Sequence, residues 1–164
     1  MLLDVGVDTV CLGQDYGHNT GPFVSPKQFR HLFFPAMRAR CRPLKRRGVP
    51  VLWHSCGDNR LILDQMIEAG MDCYQAIQPE EDIAGLKRDW GEKLTLWGGV
   101  ASHTLCMGTE EDVRREARHA VRHCAPSGGF IMGSSHSVMV AAKPENFLAM
   151  VNETQKAGRY PIAV

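Results

Sequence analysis

The sequence predicts an α/β protein built on a parallel sheet, with about five βα units forming part of a (β/α)8 barrel. Three observations carry this. Five short apolar runs are each followed by an amphipathic segment, an alternation that implies parallel strands joined by helical crossovers. The run at 49–57 is continuously apolar as far as Trp53, as expected of a strand buried on both faces. Polar, chemically capable residues then recur just after each run, where barrel enzymes place their reacting groups. A doubly wound open sheet is the competing architecture, and it calls for a Gly-x-Gly-x-x-Gly turn after an early strand. The glycines at 13, 17 and 21 are four apart and lead into a loop instead.

Each element has its own signal. "VDTVCLG" (7–13) is a β-rich run ending in glycine. The segment 24–48 reads as helix, with Ser25 as its cap and Pro26 in the first turn. Gly48 stops it, and Pro35 and Pro43 are expected to kink or divide it. A strand near 50–54 follows, then an amphipathic helix over 59–70, a strand at 72–77 and a helix at 81–91. The strand at 93–100 precedes a helix over 109–124, acidic early and basic late, in keeping with the helix dipole. A strand at 128–135 and a helix at 143–158 complete the order.

Composition narrows the function. The chain has 164 residues, 44% hydrophobic and 23% charged, with a formal net charge of +1. That is one ordinary globular domain, 1–164, with no field to gather nucleic acid or anionic lipid. The basic stretch from Arg38 to Arg47 is interrupted by Ala39, Cys41, Pro43 and Leu44, and reads as a solvated helix face. No apolar stretch reaches the ~20 residues of a membrane span, and the start lacks a signal-peptide plan. The six cysteines have no short repeated spacing and read as reduced thiols of a cytoplasmic protein. Five of them read as packing residues; Cys56 is the one singled out, with His54 two positions before it.

The groups that follow the strands are Asp15 and Tyr16, His54 and Cys56, Gln78, Ser102 and His103, and Ser134, Ser135 and His136. Within "WHSCGD" (53–58), an imidazole and a thiol one residue apart are both soft donors of the kind that hold zinc. The plainer alternative is a pair of strand-end packing residues. Gly57 allows a sharp turn behind Cys56, and Asp58 reads first as the cap of the next helix, with a bond to His54 as the other option. Asp15 reads as a substrate-orienting carboxylate, a further ligand or a solvated loop acid, with Tyr16 beside it. Ser102 and His103 read as the start of a helix. His18, His31, His119 and His123 read as structural or solvated.

"VPVLWHSCGDNRLILDQMIEAGMDCYQAI" resembles a segment of the uroporphyrinogen decarboxylase superfamily: a strand, His-x-Cys-Gly, then a helix ending near Ala-Gly-Met-Asp. "GQDYGHNTGPFVSPKQFRHLFFP", "LTLWGGVASHTLCMGTEEDVRREARHAV" and "GGFIMGSSHSVMVAAKPENFLAMV" resemble further segments, in order. The resemblance implies a TIM barrel of which this chain supplies strands four to eight, so that the domain is N-terminally incomplete, a gene fragment or truncated paralogue. It implies two enzymatic branches. In the corrinoid-linked methyltransferases, zinc is held by His-x-Cys and a further cysteine, and a methyl group passes between a corrinoid on a partner protein and a thiol or similar acceptor. His54 and Cys56 match that motif, and His136 stands where the third ligand falls, within Ser135-His136-Ser137 rather than Gly-Cys-Gly. The decarboxylase branch removes acetate carboxyls from a porphyrin precursor without a cofactor, and a histidine at that position resembles it more. A third expectation is a non-catalytic remnant, a homo-oligomer or one completed by another chain, since open sheet edges call for a partner.

Overall fold

The computed structural model describes residues 4, 6–78 and 81–162. Its five longer strands form one parallel sheet flanked by helices, in the order β1 (Val10–Gly13), β4 (Val51–His54), β5 (Cys73–Ile77), β6 (Thr95–Val100) and β7 (Phe130–Ser134). This is the partial-barrel topology that the alternation predicts. The chain divides into two compact units, Met1–Gln75 and Ala76–Val164, the division falling within β5.

In the first unit, β1 pairs with β4 from Val10↔Val51 to Gly13↔His54, and β4 pairs with β5 from Leu52↔Cys73 to His54↔Gln75. Val51 and Trp53, which share one face of β4, are wholly buried, whereas Leu52 and His54 on the other face are half-buried, so the strand is not covered on both faces as its continuously apolar run predicts. The first strand starts later than predicted, because residues 7–9 are not in strand conformation. Two short strands, β2 (Gly17–His18) and β3 (Gly21–Pro22), form an antiparallel hairpin in what reads as loop. The predicted long helix is divided at Phe33 into α1 (Pro26–Leu32) and α2 (Phe34–Arg46). Ser25 caps α1 as expected, in a reciprocal capping box with Gln28. Pro35 falls in the first turn of α2, where its missing N–H costs nothing. Pro43 does not divide the helix; it lies inside α2, the one backbone bond it forgoes being outweighed by the buried face of Met37, Cys41 and Leu44. A single 3-10 turn (Arg60–Ile62) opens α3 (Leu63–Ala69), which Gly70 ends in a left-handed conformation. Asp72 ties the sheet to α2: its carboxylate accepts from the Val51 backbone at 2.8 Å and from Lys45 Nζ at 2.5 Å.

In the second unit, α4 (Ile83–Trp90) follows β5, and β6 pairs with β7 from Leu96↔Phe130 to Val100↔Ser134. A short helix, α5 (Ser102–Met107), precedes α6 (Glu110–Cys124), so Ser102 begins a helix as expected. Thr109 and Asp112 form the capping box of α6, and the Thr109 hydroxyl holds the Asp112 carboxyl down at about 2. The core here gathers Val100, Leu105, Val113, Ala117, Ala149 and Met150, the last two from α7 (Pro144–Ala157). Buried Asn146 donates to the carbonyls of Leu105 and Gly108, closing the end of α5.

Cys41, Cys73, Cys106 and Cys124 are buried, as their reading as packing residues requires; Cys11 is exposed on β1 and is a correction to it. Burial pushes the Cys73 thiol up to about 12 and those of Cys41 and Cys124 to about 11, from an ordinary 9.0. Below pH 9 these thiols are protonated folded and unfolded alike, so their contribution to stability is fully present. Above it the unfolded chain ionises first, and stability falls by about 1.4 kcal/mol per thiol for each pH unit until the folded thiols titrate. The urea midpoint is therefore expected to drop steeply between pH 9 and 11, and Cys73→Val to flatten that drop.

Candidate functional site

The first unit brings three of the predicted residues to one point at the C-terminal end of β4. Being the last residue of the strand, His54 is half-buried, and its register opposite Gln75 lets Nδ1 bond Gln75 Oε1. A carbonyl oxygen accepts, so Nδ1 is the donor in this pair and Nε2 is the ring nitrogen left for other partners. That nitrogen lies 3.5 Å from Cys56 Sγ and 3.8 Å from Asp15 Oδ1. Asp15 also accepts from the Cys56 backbone N–H at 2.8 Å, which fixes the β1 loop against the β4 turn. The result is a carboxylate, an imidazole and a thiol within reach of one another, with Asp15 exposed to solvent.

Behind them the turn is rigid. Ser55 is buried and its Oγ accepts from the Tyr16 backbone N–H. Asn59, also buried, sets its Nδ2 at 3.0 Å from the Cys56 carbonyl, 2.9 Å from that of Gly57 and 3.0 Å from Tyr74 Oη. Gly57 adopts a φ of 85°, and the turn packs against the hairpin, where Asp58 N–H donates to the His18 carbonyl. Asp58 is not the cap of the following helix, since the N-cap position of the 3-10 turn falls at Asn59; its carboxylate instead accepts from the backbone and guanidinium of Arg60, and that pairing holds it below its ordinary value. Tyr16 is buried, edge-on to Phe29 at 5.0 Å and stacked on Trp53 at 6.0 Å. Its burial raises its hydroxyl pKa.

Sequence reasoning missed Gln75, Ser55, Asn59 and Tyr74. A polar residue within an otherwise buried strand is the signal that Gln75 offered. In the second unit, Ser135 is buried at the end of β7 and its Oγ accepts from Ser102 N–H at 3.0 Å. His136 follows, half-buried, with Nδ1 accepting from Ser137 N–H. A cavity of about 470 Å³ in this unit is lined by Gln78, Asp82, Ile83, Glu116 and His119 among others. Of the strand-end groups only Gln78 lines it, and the reacting set of the first unit does not.

Parallel βα units carrying acid, imidazole and thiol at strand ends define a partial (β/α) barrel of the kind that houses rim-sited chemistry. The chain belongs to the uroporphyrinogen decarboxylase (URO-D) family, whose model matches residues 1–157. It is 28% identical over 142 residues to a uroporphyrinogen decarboxylase from Thioalkalivibrio sulfidiphilus (strain HL-EbGR7), covering 84% of this chain and 40% of that protein. Its fold is shared with a methyltransferase from Methanosarcina mazei, at a TM-score of 0.72 and 20% identity, over 94% of this chain and 44% of that one. The chain thus spans less than half the length of either. Among the described residues, no helix is long and apolar enough to cross a membrane.

Proposed function

We propose that the chain is part of a decarboxylase-like enzyme acting on a small molecule that carries carboxylates, as a uroporphyrinogen decarboxylase does. The family match over residues 1–157 carries this reading, and the curated relative points the same way. Decarboxylation breaks a carbon–carbon bond, releases CO2 and delivers one proton to the carbon left behind. Asp15, exposed at the end of β1, orients the substrate through its N–H groups. Tyr16 positions Asp15, through its packing on Trp53 and its bond to Ser55. His54, with Asp15 beside Nε2, carries the proton when protonated.

A second reading is zinc-dependent methyl transfer, favoured by the imidazole and thiol 3.5 Å apart. The donor chemistry fits: His54 and Cys56 offer an imidazole and a thiol, donors that can hold a metal ion, and this reading calls for His136 as the third ligand. Bound there, zinc would lower the pKa of an acceptor thiol. The residues of this chain would hold the ion and exclude water, and a separate corrinoid protein would supply the methyl group.

One experiment separates the readings: purified chain, Asp15→Asn and Cys56→Ala are compared for CO2 released from uroporphyrinogen and for bound zinc. The first reading predicts CO2 release that a chelator leaves unchanged and that Asp15→Asn abolishes. Zinc at one per chain, lost in Cys56→Ala and without CO2 release, would replace it with the second.

A further inference from the structure

We propose a metal site apart from the strand-end residues of β4: a bidentate site for a late first-row divalent cation, formed by His119 and His123 on the exposed face of α6. The two residues are four apart, so they stand one turn apart on the same side of the helix. Their ring centroids are 4.5 Å apart, with the planes inclined at 54°. Both side chains are exposed, and among the described residues neither ring is engaged by a hydrogen bond or an ion pair. Each neutral imidazole has one nitrogen lone pair to give. Exposed side chains rotate between rotamers within nanoseconds, so the two lone pairs can meet on one ion with no change in the backbone.

The helix supplies the preorganisation. The positions lie in the last two turns of α6, whose other face is locked by buried Ala117, Ala120, Val121 and Cys124. A paired imidazole site of this spacing is the arrangement by which helices present two histidines to zinc. Imidazole ligands favour Cu2+, Ni2+ and Zn2+, with Cu2+ the strongest. Two protein ligands leave the remaining coordination positions to water, which gives a surface site of moderate affinity rather than a closed structural one. Bound metal links adjacent turns and so stabilises the folded second unit.

The test uses untagged chain carrying Cys56→Ala, which removes the thiol at the end of β4, with Ni2+ as the probe. Calorimetric titration is expected to show one ion per chain, and thermal unfolding an upward shift that EDTA reverses. His119→Gln and His123→Gln, each in the same background, are both expected to lose the titration and the shift. Glutamine keeps helix propensity, and circular dichroism checks that α6 persists. Absence of nickel binding in the Cys56→Ala chain overturns the proposal, as does a titration unchanged by either glutamine substitution.

Discussion

Replacing Trp53 with alanine is expected to cost about 3–5 kcal/mol, the range for emptying a wholly buried aromatic site. Trp53 has no exposed surface, its Nε1 donates to the Gln14 carbonyl at 3.4 Å, and Arg40 lies 5.3 Å over its ring. Its ring is also the wall on which Tyr16 stacks, so the loss reaches the functional site. With the wall removed, the loop that carries Asp15 keeps its backbone bond to Ser55 but loses the apolar contact that orders it. Urea unfolding measures the cost directly. A change within about 1 kcal/mol would mean that the core around β4 closes over the gap, which surrounding packing rarely allows.

Gly57→Ala should come close to that effect by another route. At φ 85° an L side chain is strained, by about 1–2 kcal/mol. The new Cβ would also lie 2.3 Å from the Gly17 carbonyl carbon and 2.5 Å from His18 N, backbone atoms that cannot swing aside. Relieving that overlap adds about 1–3 kcal/mol and separates the hairpin from the turn. Because Cys56 precedes Gly57, the thiol moves with it. The measurement is alkylation by iodoacetamide beside urea unfolding: Cys56 is expected to react at an altered rate, while buried Cys41 and Cys73 stay protected. An alanine variant with wild-type stability and thiol reactivity would contradict the turn geometry.

The parallel strands were legible because short apolar runs such as Val51 to Trp53 alternate with amphipathic helical segments along the chain. The capping of α1 was legible for a similar reason: Ser25, Pro26 and Gln28 each answer a local backbone need. His54 and Cys56 could be paired from spacing alone, since positions i and i+2 that leave a strand together stay close. What local patterns could not mark was the cross-strand partner. Gln75 meets His54 through register, 21 residues away, and nothing adjacent to either announces the bond. The hairpin of Gly17–His18 and Gly21–Pro22 was hidden because two-residue strands have no periodicity to read. Pro43 misled because its local cost is fixed, whereas the burial that outweighs it belongs to the tertiary structure.

The central claim is that the end of β4 delivers the His54 imidazole and the Cys56 thiol to one accessible point. Cobalt(II) reads this directly, since a thiolate ligand gives the ion an intense near-ultraviolet charge-transfer band that imidazoles alone do not. Titrating the purified chain with Co2+ is expected to produce that band, and Cys56→Ala to abolish it. His54→Ala should weaken binding while leaving the remaining cysteines unchanged. A band of equal intensity in Cys56→Ala, or none in the wild type, would contradict the convergence of these two side chains.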